Sequence, residues 1–294
     1  MASGLKGERG PMLSHEEMVS LQAEKHEIIE PEKFASNKDF VLHLIHTRAY
    51  EQAALYAAGK DVLDLGCNTG YGTRVIKASG ARVVGVDVSP EAVDIARRQY
   101  GPAGIEFHRI DGRRLPFADK SFDVITCFQV IEHIVDLQQF LAEIRRVVRP
   151  GGKVIFTTPN GPLRLHPGTR PWNPFHVREY SAEELKKLLG RHFGKIEMLG
   201  LFAVKPVYAV EAERIRIIRE RARIKQSPEG SSPGGRLKLL MLHLQAEIGK
   251  KIHNLDRRFR ERYTSRDLYY KRENYDASLD LMAVCTVDQP EAAG

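Results

Sequence analysis

From residue 60 onward short apolar runs alternate with amphipathic stretches, and no other feature of the chain narrows its fold as sharply. The runs at 61–65, 82–87, 105–109, 122–128 and 152–158 have the length and β-branched content of buried strands. Between them the periodicity predicts helices at 71–79, 90–100 and 136–148. Ser89, Pro90 and Glu91 supply the N-cap, first-turn proline and acidic first turn that open the second of these. Ser181, Glu183 and Glu184 open a further helix to about 189, 195–204 reads as a sixth strand and 279–287 as a seventh. Alternation of this kind dictates an α/β fold, a doubly wound, seven-stranded, mostly parallel sheet with helices on both faces.

The pattern divides the chain into an N-terminal arm and helix (1–58, the helix at 39–58), a core (59–207 plus 279–289) and an insertion at 208–278. The arm is expected to fold over a ligand. The insertion is too long for a structureless loop and reads as two helices joined by a turn at 227–235. The second helix carries Leu237, Leu240, Leu244, Ile248, Ile252, Leu255 and Phe259 at three-to-four spacing. That stripe is expected to pack on a neighbour or on a second subunit, as a homodimer contact, in preference to lipid. Of a formal charge of +7, the stretch 211–272 holds 17 Lys or Arg against 8 Asp or Glu, so the remainder is slightly acidic. A solvated helix face is the plain reading of such a run, and a phosphate-bearing partner or membrane surface the other. No apolar stretch approaches the roughly 20 residues of a transmembrane segment, and the first 20 residues hold no secretory-type apolar block, so a cytoplasmic protein is expected. Cys67, Cys127 and Cys285, odd in number and set among apolar residues, read as reduced and structural.

The first strand runs into Asp64-Leu65-Gly66-Cys67-Asn68-Thr69-Gly70-Tyr71-Gly72, whose glycines let the backbone turn and approach a ligand closely. The spacing is not the G-x-G-x-x-G of a dinucleotide site, and an anion would be repelled by Asp64. A ligand with an ammonium group suits that carboxylate. Asp87, at the end of the second strand and about 20 residues beyond the loop, is placed to accept ribose hydroxyls. Asp111, followed by Gly112 after the third strand, is placed to accept from an exocyclic amine. Three acids at three strand ends thus match ammonium, ribose and base.

These residues resemble the class I S-adenosylmethionine-dependent methyltransferases, and within them the branch of the ubiquinone-biosynthesis O-methyltransferases. The resemblance is carried by VLDLGCNTGYG (62–72), VVGVDVSPEAVDIA (83–96), IDGRRLPF (110–117), FDVITCFQVIEHI (122–134) and RRVVRPGGKVIFTTPN (145–160). It implies the Rossmann-like methyltransferase fold, with S-adenosylmethionine held at Asp64, Gly66, Cys67, Asn68 and Gly70, its ribose at Asp87 and Val88, its adenine at Asp111 and Gly112, and Gln129 beneath the sulfonium. Asn68 stands where many relatives carry Gly. HTRAYEQA (46–53) resembles the H-x-x-R-Y-x-x-A helix of many relatives with Ala49 intruding, so that Arg48 or Tyr50 would meet the cofactor carboxylate.

Methyl transfer from a sulfonium asks the protein to align a nucleophile, exclude water and, for a hydroxyl, take a proton. Glu132 and His133 follow the fourth strand at the expected cleft, and His176 lies in a loop resembling the N-P-x-H-x-R-x-Y/F segment of this branch; these three are the candidate catalytic residues. Some relatives bind a divalent metal with E-x-x-E-H at this place. Here Gln129 replaces the first Glu, leaving Gln129, Glu132, His133 and His176 as candidate ligands for an ion such as magnesium. The expected acceptor is a hydroxyl on a small molecule or saccharide. The alternatives are a ribose hydroxyl of RNA, for which the basic insertion speaks, and a non-catalytic scaffold that binds S-adenosylmethionine. The insertion is expected to act as a lid over the acceptor.

Overall fold

The computed structural model describes residues 34, 36–254 and 257–289, with the backbone alone at 248–254 and 257. The expected ligand-covering arm, and the side chains of Ile248, Ile252 and Leu255 in the predicted stripe, lie outside the described residues. In chain order the elements are α1 (Asn37–Ala54), β1 (Asp61–Leu65), α2 (Tyr71–Lys77), β2 (Arg82–Asp87), α3 (Pro90–Tyr100), β3 (Glu106–Arg109), β4 (Phe122–Phe128), α4 (Leu137–Val147), β5 (Val148–Pro159), α5 (Ala182–Leu189), β6 (Ile196–Ala203), α6 (Lys205–Lys225), α7 (Pro233–Asn254), α8 (Arg257–Arg262), β7 (Leu268–Lys271) and β8 (Asp280–Thr286).

The sheet order is β3-β2-β1-β4-β5-β8-β6-β7. β1 to β5 run parallel, and β8 is antiparallel to both β5 and β6. Successive residues on the central strands serve opposite faces. Val62, Val124 and Ile155 join Tyr50, Ala53 and Ile76 beneath α1 and α2, while Leu63, Ile125 and Phe156 join Leu141, Ile144 and Leu185 beneath α4 and α5. Burial on both faces is why these strands read as unbroken apolar runs. Chain order reverses between β1 and β4, and the crevice outside the carboxyl ends of those two strands is where ligands bind in open sheets of this kind.

The seven expected strands are all present, and an eighth, β7, extends the edge beyond β6. It lies within the stretch read from sequence as a helical insertion, whose helical part spans α6 to α8. Four residues with Leu268 buried and Tyr269 exposed give too short an alternation to stand out from sequence. The insertion's packing also differs from expectation. Leu239, Leu242 and Ala246 of α7 meet Ile217 and Ile224 of α6, whereas Leu237, Leu240 and Leu244 of the predicted stripe face outward. α7 is apolar on two opposite sides, so spacing alone does not say which side is covered. Phe259, the last member of the stripe, does pack inward, edge to face with Phe40 of α1 at 6.4 Å. No helix among the described residues is long and apolar enough to cross a membrane.

Ile125 has no exposed surface at the centre of the sheet. Ile125→Ala should lower unfolding stability by about 2–5 kcal/mol, read as a lower denaturant midpoint at unchanged slope.

Candidate active site

The loop after β1 is built for close approach. Gly66 has φ 82° and a Cβ there would sit 2.4 Å from the Val130 side chain. The amides of Gly66 and Cys67 donate to Val86 O of β2 at 2.8 and 3.0 Å. Asn68 also takes a left-handed conformation, φ 46°, where asparagine is the best-tolerated replacement for glycine. Its side-chain oxygen accepts from Thr69 N at 2.7 Å, so the departure from the family pattern leaves the turn intact. Gly72, in the first turn of α2, faces the Tyr50 ring, which an added Cβ would meet at 2.0 Å.

This loop borders a cavity of about 340 Å³ at the carboxyl edge of the sheet, within the range of small-molecule sites. Of the expected cofactor residues, Gly66, Cys67, Asn68, Asp87, Val88, Gly112 and Gln129 line it. Asp87 is held ready: its carboxylate accepts from Asn68 N at 2.8 Å and Ser89 N at 2.9 Å. A carboxylate so fixed retains lone pairs for further donors such as ribose hydroxyls.

Asp64, Gly70 and Asp111 do not border the cavity. Asp64 is wholly buried and accepts from Thr73 Oγ1 at 2.6 Å, Thr126 Oγ1 at 2.8 Å and Tyr50 OH at 3.4 Å. Its carboxylate, read from sequence as the partner of an ammonium, braces the base of the loop. Burial pushes its pKa up to about 6 against the opposing effect of the three hydroxyls. Gly70 caps α2. Asp111 accepts from the amides of Arg113 and Arg114 at 2.8 and 3.2 Å, bonds that lower its pKa and fold the turn so that Gly112, Arg113 and Arg114 line the cavity.

α1 supplies His46, Ala49 and Tyr50 to the wall, while Arg48 turns to Glu51 at 3.5 Å. Asp280, at the start of β8, lines the cavity and was not singled out from sequence. A carboxylate in the otherwise apolar run LDLMAVCTV was the signal available. Gln129, at φ 56°, donates its amide to Asp280 Oδ2 at 3.1 Å and Thr157 Oγ1 at 3.2 Å, which ties the end of β4 to β5 and β8.

Glu132, His133 and His176 come together, with one ligand atom from each lying within 4.8 Å of the others. The loop carrying His176 is fastened to the 3-10 turn Ile131–His133 by bonds from Val177 N and Arg178 N to Glu132 O at 2.8 and 3.3 Å. The two imidazoles meet edge to face, centroids 4.7 Å apart. His133 Nδ1 lies 3.0 Å from Phe175 O; a carbonyl only accepts, so Nδ1 carries a proton, and in the neutral ring the lone pair is on Nε2. His176 Nδ1 lies 2.8 Å from Glu179 Oε1. Glu179 in turn takes Arg164 Nε at 2.9 Å, and that guanidinium stacks 4.1 Å over Trp172. Glu132 Oε2 accepts from Thr158 Oγ1 at 3.0 Å, and its buried Oε1 has no hydrogen-bond partner. Burial pushes its pKa up to about 8. Of the three, His133 borders the cavity, and Glu132 and His176 stand behind it.

Because the folded pKa of Asp64 is raised to about 6, its contribution to stability is full below about pH 4 and is lost as pH rises through 6. Asp64→Asn should flatten the thermal-stability profile across that window by up to about 3 kcal/mol, measured by melting at stepped pH.

Residues 63–156 match the methyltransferase domain family. A probable S-adenosylmethionine-dependent methyltransferase of Mycolicibacterium smegmatis is 41% identical over 159 residues, 53% of this chain and 61% of that protein. A ubiquinone biosynthesis O-methyltransferase of Aromatoleum aromaticum is 33% identical over 137 residues, 46% of this chain and 55% of that one. The chain thus spans a little over half the length of these curated relatives. In fold it is similar to a chain of the Haloferax volcanii complex between the Trm112 methyltransferase activator and a putative methyltransferase, at TM-score 0.53 and 17% identity over 88% of this chain and 96% of that one. The matched segment is a methyltransferase domain, and over about half its length the chain is similar to S-adenosylmethionine-dependent methyltransferases.

Proposed function

We propose that the protein transfers the methyl group of S-adenosylmethionine to a hydroxyl of a small-molecule or saccharide acceptor. The observation that carries this reading is Asp87, set by two backbone amides at the glycine loop, with His133 bordering the same cavity. The donor lies along β1, β2 and β3, its ribose on Asp87 and its base against Gly112. The acceptor approaches from the side of β5 and β8. As the acceptor oxygen bonds to the methyl carbon, the carbon–sulfur bond breaks, the sulfonium becomes a neutral thioether and the hydroxyl proton passes to His133 Nε2. Glu132 and His176 hold that imidazole in place, and the apolar wall of Phe128, Val130 and Phe140 excludes water.

Glu132, His133 and His176 also suit a divalent metal, since the partnerless buried Oε1 of Glu132 is an oxygen that an ion would satisfy. Two imidazoles and one carboxylate fit manganese or zinc better than magnesium, which prefers oxygen ligands. An ion held there would lower the pKa of an acceptor hydroxyl. Helix α6 lines no part of the cavity but packs on α1, which does, and the lid expected of the insertion would act through that contact. The three free, buried cysteines accord with a reducing, cytoplasmic setting. A ribose hydroxyl of RNA is the second acceptor class, favoured by the basic 211–272 stretch.

Calorimetric titration with S-adenosylhomocysteine should show binding that Asp87→Ala weakens by about a hundredfold; absence of binding to the unmodified protein would refute the donor site. Manganese or magnesium in the same titration tests the ion. Transfer of labelled methyl to phenolic, saccharide and RNA acceptors separates the acceptor classes, and tight donor binding with no transfer to any of them would indicate a scaffold.

A further inference from the structure

Helix α7 carries apolar side chains on two opposite sides. The inner side is covered by α6, through Leu239, Leu242 and Ala246. The outer side presents Leu237, Leu240, Met241 and Leu244, at i, i+3, i+4 and i+7, each 50% to 59% exposed. These are four of the eight large apolar side chains that stand exposed among the described residues, and they form one continuous ladder on one helix face. A scatter of single exposed residues would call for no explanation; a ladder does.

Charge around the ladder says what covers it. The acidic side chains of α6 are taken up within the helix, Glu211 by Arg214, Glu213 by Arg216 and Glu220 by Arg223. Glu229, in the connection to α7, is shared by Arg223 and Lys238. What remains on α6, its connection and the start of α7 is a small positive surplus, because nine of the 17 Lys and Arg of the 211–272 stretch lie beyond the ladder, at 250–272. Arg236, exposed one residue before the ladder begins, and Lys225 at the end of α6 meet no carboxylate among the described residues. On the same flank of α7 follow the neutral His243, seven residues on, and Glu247, eleven residues on, which has a partner of its own. A second copy of the chain on this face would set one positive surplus against another. An anionic lipid surface would match both features, apolar side chains entering among the acyl chains and the flanking cations reaching the headgroups.

We propose that the outer face of α7 docks the protein on an anionic membrane surface, with Leu237, Leu240, Met241 and Leu244 inserted and Arg236 at the headgroup level. The helix lies in the interface and does not span it, in keeping with the lack of any described helix apolar enough to cross. The inference is independent of the methyl-transfer reading, because the ladder lies outside the cavity.

The test is co-sedimentation of the full chain with vesicles of phosphatidylcholine alone and of phosphatidylcholine mixed with phosphatidylglycerol. The expected result is binding to the mixed vesicles only, weakened by salt and reduced about tenfold or more by the double change L240Q and L244Q. Because polar residues on an exposed face leave the core untouched, the circular dichroism melt of the variant should match that of the unmodified protein; Arg236→Glu, which touches no apolar group, should also weaken binding. Absence of binding to the mixed vesicles overturns the proposal, as does binding indifferent to all three substitutions. A stable dimer in sedimentation velocity that L240Q and L244Q dissociate, without vesicle binding, would assign the ladder to a second copy and overturn it as well.

Discussion

The carboxylate of Asp64 sits where β1 and β4 lead away to opposite halves of the sheet, and hydroxyls from three other elements close on it: Thr126 from β4, Thr73 from α2 and Tyr50 from α1. A buried carboxylate is tolerated only when its lone pairs are taken up, so each of these elements is held to a position that satisfies it. That fixes the start of α2 relative to the strand ends, and with it the turn that carries Asn68 to Asp87. The cavity is thus shaped from below by a residue that does not line it. The cost of burying the charge is visible in its raised pKa, and the return is a rigid loop over the switch point.

The two halves of the sheet divide the chemistry. β2 and β3 carry Asp87 and the turn around Gly112, groups suited to ribose and base. β5 and β8, on the other side of β4, bring Thr157 and Asp280 to the cavity. Gln129 is the hinge between them, its amide spanning to Asp280 and Thr157. A glutamate at that position would face Asp280 with like charge, so glutamine and Asp280 make a consistent pair. The replacement that removes an acidic ligand from the 129–133 segment is therefore also the one that lets β8 place a carboxylate in the wall.

What could be read from the chain follows the same physics. The parallel strands were legible because burial on both faces leaves them apolar throughout, and Asp87 because strand end and spacing coincide. Asp64 was legible as an acid at the right strand end but not in its direction, because which way a side chain turns depends on Thr73, Thr126 and Tyr50, up to 62 positions distant. The meeting of Glu132, His133 and His176 was expected from resemblance to relatives; what the sequence does not show is the pair of backbone bonds to Glu132 O that draws the loop in, or the Glu179–Arg164 support behind His176. β7 and the covered side of α7 were lost for a plainer reason. Four residues make too short a pattern, and a helix apolar on two sides gives two equally good answers.

The close fit of Gly72 against Tyr50 has a consequence for the order in which the chain is built. α1 supplies part of the cavity wall, yet its other face, Phe40, Val41, Leu44 and Ile45, is covered by Leu201, Val207 and Val210, more than 150 positions further on. During synthesis α1 leaves the ribosome before any other described helix and must wait for its covering partners until most of the protein has been made. A nascent chain stalled before residue 200 would therefore hold α1 against the sheet by Tyr50 and Ala53 while its other face, Phe40 to Ile45, stood uncovered.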